Sequence, residues 1–93
     1  MITTILKEVK HNDKEYRIVR KDYYMYHDVI GGDKETDKEP TYICTTISVE
    51  VHRKFLFIPF WSIINFEECR AKKYIGLITI ATNKWFNKNI ING

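Results

Sequence analysis

The chain has 93 residues, of which 44% are hydrophobic, 14% aromatic and 29% charged, with a formal net charge of +3. This length predicts a single domain, residues 1–93, with a modest core. The many aromatic and β-branched residues exclude collagen-like, low-complexity and wholly disordered classes. Isoleucine, valine and threonine contribute 14, 5 and 8 residues, whereas leucine and alanine together contribute 5, so the composition favours β-structure.

The cysteines and the N-terminal sequence favour a cytoplasmic protein. Cys44 lies in an apolar run and is predicted to be a small buried hydrophobe, while the glutamates before Cys69 disfavour a reactive thiolate there. The first ten residues lack the basic and apolar regions of a signal peptide. The longest apolar run, Phe55–Trp61, has seven residues, whereas a membrane helix needs about 20.

The first part of the chain is predicted to contain three strands and a loop. Residues 2–9 are compatible with a strand or with a short helix, and a hairpin is favoured because the turn formers His-Asn-Asp-Lys at 11–14 separate them from the β-rich residues 15–20. Tyr23–Ile30 is predicted to form a third strand. Residues 31–40 have two glycines, a proline and no apolar side chain, which predicts an exposed, mobile loop.

This loop carries carboxylates at alternate positions, namely Asp33, Glu35, Asp37 and Glu39. In an extended segment these side chains lie on one side, where they can meet a basic surface of a partner protein. The lysines between them weaken that negative field. A recognition loop and a plain solvated loop are therefore the two alternatives.

The strongest strand pattern spans Thr41–Val51, where apolar and polar residues alternate. One side of this predicted strand carries Ile43, Thr45, Ile47, Val49 and Val51. The other side carries Tyr42, Cys44, Thr46, Ser48, Glu50 and His52.

Two further strands are predicted after a turn or bulge at residues 52–54. The first, Phe55–Ile58, is apolar on both faces, and Pro59 ends it or places it at a sheet edge because proline cannot donate to a ladder. Residues 61–66 are predicted to turn back. The second strand is Tyr74–Ala81, with Gly76 as a bulge.

The C-terminal segment Trp85–Ile91 is predicted to be either a last strand or a short helix capped by Thr82 or Asn83. Together, these elements predict a mostly-β domain. The expected domain is a small β-barrel or a strongly curled antiparallel sheet of five to seven strands, with at most one short helix.

One stretch resembles a known family. The sequence Phe57-Ile58-Pro59, followed by Ile63, a polar turn and a further apolar segment, is similar to the central strands of bacterial pleckstrin-homology-like domains. The resemblance implies a truncated barrel of that kind as the alternative fold, and it transfers no functional residue.

The sequence contains no phosphate loop, nucleophile elbow, zinc-protease or calcium-loop pattern, so we expect no cofactor and no metal. The three histidines, His11, His27 and His52, lie far apart in the sequence. A small metal-independent nuclease would need His27 and His52 to converge as acid and base beside a cation such as Arg53. Unconnected histidines are the alternative, and a nuclease ranks third among the functions.

Positive charge is concentrated in the second half, where residues 48–93 carry seven basic and three acidic side chains. Cations interleaved with aromatic rings are typical of sites for nucleotides or single-stranded nucleic acid. The candidate ligand-binding residues are Arg53, Lys54, Lys72, Lys73, Tyr74 and Trp85. The alternative is that the rings belong to the core and the cations flank it.

The apolar run favours a protein partner instead, because a small domain covers only one face of such a strand well. The candidate partner-binding residues are Phe55, Phe57, Ile58, Phe60 and Trp61, together with the four loop carboxylates. A buried central strand is the alternative. We expect a non-catalytic, homo-oligomeric binding protein that blocks or sequesters a host component. Isoleucine, lysine and asparagine supply 31 residues, a usage common in A+T-rich phages and mobile elements.

Overall fold

The computed structural model describes residues 1–26 and 40–93, which form four β-strands and a helical C-terminal segment. The strands are β1 (Ile2–His11), β2 (Lys14–Met25), β3 (Thr41–Phe55) and β4 (Ile58–Cys69). A 3₁₀ turn (Lys72–Tyr74), helix α1 (Ile75–Phe86) and a π-helical turn (Asn87–Ile91) follow. The protein is therefore mostly β, as its composition predicts.

The four strands form one open antiparallel sheet in chain order, β1-β2-β3-β4. The predicted five to seven strands and closed barrel, including the pleckstrin-homology-like alternative, are not confirmed. One predicted strand lies partly within a longer one, since Tyr23–Met25 belongs to β2, and another, Phe55–Ile58, is divided, since Phe55 ends β3 and Ile58 begins β4. A third, at Tyr74–Ala81, is helical apart from its first residue, which ends the 3₁₀ turn.

The β1–β2 hairpin confirms the prediction made from the turn residues at 11–14. Its turn is Asn12-Asp13, and both residues have positive φ, at 50° and 63°. A two-residue hairpin turn with positive φ at both positions has the twist that suits antiparallel strands, and asparagine and aspartate tolerate that conformation.

The β3–β4 hairpin contradicts the prediction for residues 52–66. β3 runs through residues 52–54 without a turn, the chain reverses at Leu56-Phe57, and β4 continues through residues 61–66. Phe55–Ile58 is therefore a hairpin turn with one residue of each strand, and Pro59 lies within β4 opposite Lys54. The sequence offers no turn-forming residue at this reversal, which is why the pattern indicated a strand.

Helix α1 takes the place of the strand predicted at Tyr74–Ala81. Of the two alternatives for Trp85–Ile91, a last strand or a helix, the structure has the helix. Its sheet-facing residues recur every four positions, at Ile78, Thr82 and Phe86. The hydroxyl of Thr82 donates to the Ile78 carbonyl at 2.7 Å, so it does not cap the helix. Gly76 is helical rather than a bulge.

The core lies between α1 and one face of the sheet, called here the helix face. Its buried residues are Tyr16, Ile18, Ile47, Val49, Val51 and Phe86, and Val9, Ile64, Ile78, Trp85 and Ile90 pack around them. The ring of Phe86 meets that of Tyr16 edge-on, with centroids 5.8 Å apart. Cys69 is also buried, and Cys44 is half-buried. Within the described parts of the chain, no helix combines the length and apolar character required to cross a bilayer.

Candidate functional site

The β3–β4 hairpin extends about two residues farther than the β1–β2 hairpin, which reaches the same end of the sheet. Pairing between β2 and β3 ends at Tyr16–Val51, whereas pairing between β3 and β4 continues to Phe55–Ile58. The additional pairs are His52–Trp61, Arg53–Phe60, Lys54–Pro59 and Phe55–Ile58. At about 3.4 Å per residue, this two-stranded ribbon is about 13 Å long. It presents its turn to the solvent.

The end of this ribbon, Phe55–Ile58, is called here the hairpin tip, and all four of its side chains are large and apolar. Leu56 is 75% exposed and Phe57 is 96% exposed, while Phe55 and Ile58 are both about two-thirds exposed. Full burial of each such side chain is worth about 1.5–3 kcal/mol. The hairpin tip therefore presents a large apolar surface that stays exposed to solvent in the folded protein.

The backbone of the hairpin tip is strained. Leu56 has φ of 48° and Phe57 has φ of 71°. For residues other than glycine, asparagine and aspartate, this left-handed conformation costs roughly 1–2 kcal/mol per residue. Asn12-Asp13 makes the same kind of turn with residues suited to it. Leu56-Phe57 is thus disfavoured both by conformation and by exposure.

Basic side chains lie directly behind the hairpin tip. Lys54 and Arg53 are exposed and precede Phe55 by one and two residues. Successive residues of a strand point to opposite faces, so Arg53 shares the helix face with Phe60 and Lys54 lies on the other face beside Pro59. The stretch from Val51 to Phe66 contains no acidic residue.

A polar cluster lies on the sheet face opposite the helix, at the base of the ribbon. The guanidinium of Arg17 lies 4.1 Å from the ring centroid of Trp61 and donates to the buried carboxylate of Glu50. The hydroxyl of Ser48 donates to the same carboxylate at 3.2 Å. The ring of His52 packs on Trp61, with centroids 5.1 Å apart. This cluster supports the ribbon, and its charges are paired internally.

A second polar cluster surrounds the buried carboxylate of Asp22 on β2. The Thr45 hydroxyl donates to Asp22 at 2.6 Å, and the Tyr42 hydroxyl donates to Thr45 at 2.6 Å, because the single Thr45 proton is already used. Arg20 donates to both carboxylate oxygens. Burial raises the pKa of Asp22, but the Thr45 and Arg20 hydrogen bonds outweigh it, so this pKa lies below its ordinary value.

The predicted ligand-binding residues divide between separate parts of the fold. Arg53 and Lys54 lie behind the hairpin tip, whereas Lys72 lies beyond β4, with its ammonium over the rings of Tyr24 and Tyr42. Ten residues of β3 separate Phe55 from Thr45, the partner of Cys69, which is about 33 Å of strand. These cations therefore do not form one groove.

The other members of this set are also dispersed. The ammonium of Lys73 lies 5.0 Å from the ring centroid of Tyr74, which is exposed at the start of the helical segment. Trp85 packs against the core.

Burial raises the pKa of the Cys44 thiol, and the neighbouring Glu68 carboxylate adds to that effect.

Of the predicted partner-binding residues, Phe55, Phe57 and Ile58 belong to the hairpin tip, and Phe60 and Trp61 lie behind it. The acidic residues Asp33, Glu35, Asp37 and Glu39 fall outside the described residues, as does His27. His11 ends β1, and His52 packs on Trp61. No group of three metal-binding side chains occurs among residues 1–26 and 40–93.

Sequence reasoning missed two residues of these sites, Leu56 and Arg17. Leu56 lies within the apolar run, and no turn-forming neighbour marks it as the apex. Arg17 is a single cation in a predicted strand, and its contacts with Glu50 and Trp61 join residues 33 or more positions apart. Comparison with protein-family models, curated proteins and solved structures finds no match to this chain.

Proposed function

We propose that this protein is a small non-catalytic binding protein and that the hairpin tip is its recognition element. The observation that carries the proposal is the conformation and exposure of Leu56-Phe57. Both residues adopt a strained left-handed backbone, and both leave large apolar side chains in water. Neither folding nor solubility favours these residues, so contact with a partner is the remaining physical reason for them.

Such a protein acts by occupying its target. Bulky apolar anchors at a protruding position account for most of the binding free energy in many interfaces. Blocking or sequestering a host component is the outcome that we propose for this contact. Self-association also belongs to the proposal, since two copies that cover each other's hairpin tip would bury the same apolar surface.

Binding of nucleotides or single-stranded nucleic acid is the second candidate, supported by Lys72 beside the rings of Tyr24 and Tyr42. It ranks behind the first because Lys72 already contacts both rings and lies far from Arg53 and Lys54. Titration with nucleotides and short oligonucleotides at low salt tests it directly. A thermal shift that disappears in Lys72→Ala would place this function first.

Site-specific photo-cross-linking in cells tests the proposed function. A photoreactive phenylalanine analogue at position 57 preserves the aromatic ring, and the same analogue at position 13, in the other hairpin turn, is the matched control. We expect a discrete adduct from position 57 that position 13 does not give. A cross-linked dimer would identify a second copy as the partner. Identical adducts from both positions, or no adduct with either protein or lipid, would exclude the hairpin tip as the recognition element.

A further inference from the structure

We propose that the surface bound by the hairpin tip is an anionic lipid membrane; this inference rests on the recognition role proposed above. Three features of the ribbon carry it: the shape of its apolar end, the position of its basic side chains, and the distance between the two. Together they match the layered chemistry of a bilayer surface rather than that of a protein pocket.

The shape of the hairpin tip favours binding to fluid lipid chains over binding to a protein surface. Leu56 and Phe57 form the apex of a narrow ribbon, and Phe55 and Ile58 lie immediately behind them. A protein surface would need a deep, matching cavity to cover a protruding apex of four large side chains. Lipid chains rearrange around such an apex, and burial of apolar area into the acyl boundary provides the driving force.

The positive charge of the ribbon indicates which kind of lipid surface it binds. Arg53 and Lys54 lie on opposite faces of the ribbon, so the hairpin tip has a cation on each side. No acidic residue occurs within the ribbon, from Val51 to Phe66; the neighbouring β1–β2 hairpin brings Asp13 and Glu15, together with Lys14, to the same end of the sheet. Cations beside an inserting apolar segment are attracted by anionic headgroups, whereas an apolar protein cavity would have to leave them at its rim.

The spacing along the ribbon matches the depth of a bilayer interface. At about 3.4 Å per residue, Lys54 lies about 3 Å and Arg53 about 7 Å behind the Phe55–Ile58 pair. Interfacial segments bury their apolar residues about 5–10 Å into the headgroup and acyl boundary. Insertion of the hairpin tip to this depth places both cations at the level of the lipid phosphates, and it leaves Phe60 in the interfacial zone that aromatic rings favour.

Vesicle co-sedimentation of the full chain tests the inference. The probes are vesicles of phosphatidylcholine alone and of an equimolar mixture of phosphatidylcholine and phosphatidylglycerol. We expect binding to the mixed vesicles that weakens with added salt. Replacing Leu56 with Asn and Phe57 with Gly should reduce affinity by at least about 100-fold, because two apolar anchors are lost. Arg53→Gln and Lys54→Gln should each reduce it about fivefold.

Insertion itself has a separate readout in tryptophan fluorescence. Relative to the emission of Trp61 and Trp85 in the natural chain, the emission added by Phe57→Trp should shift to the blue on mixed vesicles and be quenched by lipids with brominated chains. Met25→Trp, at an exposed position near the opposite end of the sheet, is the control and should do neither. A spectral change of equal size in both variants would contradict insertion through the hairpin tip.

The outcomes separate this inference from the proposed function. Failure to bind mixed vesicles, with a protein adduct from the photoreactive group at position 57, would overturn the membrane inference and leave the binding function standing. Equal binding to both vesicle types would overturn the anionic specificity. Absence of vesicle binding and of any position-57 adduct would overturn both proposals.

Discussion

The Nη2 atom of Arg17 lies 2.6 Å from the Oε1 atom of Glu50, and this ion pair joins the two central strands at the base of the projecting ribbon. Glu50 is only 4% exposed, so its carboxylate depends on the guanidinium and on Ser48 for the hydrogen bonds that water would otherwise supply. The ion pair therefore matters more to stability than a surface pair would.

Replacing Arg17 with Met should destabilise the fold by about 3 kcal/mol, because it leaves a buried carboxylate unpaired. Adding Glu50→Leu to this variant should restore most of the loss, since both charged groups are then removed. A double-mutant cycle from urea unfolding measures the coupling between the two residues. Additive effects of the two single substitutions would contradict a buried ion pair.

The strained turn makes an unusual prediction, since its removal should stabilise the protein. Leu56→Asn combined with Phe57→Gly supplies the residue pair most favoured in this turn and should raise the free energy of unfolding by about 1–3 kcal/mol. Asp13→Gly is the control in the other hairpin and should gain less, because aspartate already tolerates the conformation. Chemical denaturation measures both, and a loss of stability in the double variant would argue against left-handed residues at 56 and 57.

Asp22 should make stability fall in acid. Its pKa is lowered in the folded state, so the folded protein binds the proton less readily than the unfolded chain does. The contribution is therefore complete above the unfolded value of about 4 and is lost as the pH falls through the lower, folded pKa. The difference in unfolding free energy between the natural protein and Asp22→Asn should be constant at neutral pH and shrink below about pH 4.

Thr45→Val tests the cause of this dependence. The substitution removes the hydroxyl that donates to Asp22, so the folded pKa of that carboxyl should rise towards its unfolded value and the loss of stability in acid should become smaller. Urea unfolding at a series of pH values gives both curves. An acid response that is unchanged in Thr45→Val would show that Arg20 alone sets the pKa.

Phe86 should be the most sensitive position of α1. Its side chain is fully buried, so Phe86→Ala should cost about 3–5 kcal/mol. Leu77→Ala, at an exposed position of the same helix, is the control and should change stability by less than about 0.5 kcal/mol. Thermal unfolding followed by circular dichroism compares them, and equal losses would indicate that the helix presents a different face to the sheet.

Local chemistry explains which strands the sequence predicts correctly. Asparagine and aspartate favour the hairpin turn at 12–13. Polar and apolar residues alternate over Thr41–Val51 because every second side chain of this strand faces the core. Residues 45–51 of β3 are nevertheless buried on both faces, because α1 covers one face and side chains of the neighbouring strands, such as Arg17 beside Glu50, cover the other. Information of this kind is present in short segments, so a short pattern is enough to recover it.

The errors arise where packing overrides local preference. The segment from Ile75 to Ala81 is rich in β-branched residues, which favour strands, yet burial of Ile78, Thr82 and Phe86 on one helical face decides its structure. The spacing of four residues between these side chains is typical of a helix, but the strand propensity of the segment favours the opposite prediction. Leucine and phenylalanine disfavour the left-handed turn at Leu56-Phe57, so no local sequence pattern predicts it. The tip of the ribbon, and with it the proposed site, required the structure.

The left-handed turn also has a consequence for the order of folding events. Closing the β3–β4 hairpin requires two residues to enter a disfavoured backbone basin, so this hairpin should form after the rate-limiting step, whereas the Asn12-Asp13 hairpin closes early. Stabilising a late element slows unfolding and leaves the folding rate nearly unchanged. Stopped-flow chevrons of the Leu56→Asn, Phe57→Gly variant should accordingly differ from those of the natural chain in the unfolding limb alone. The recognition element would then be the part of the sheet that opens most readily and closes last.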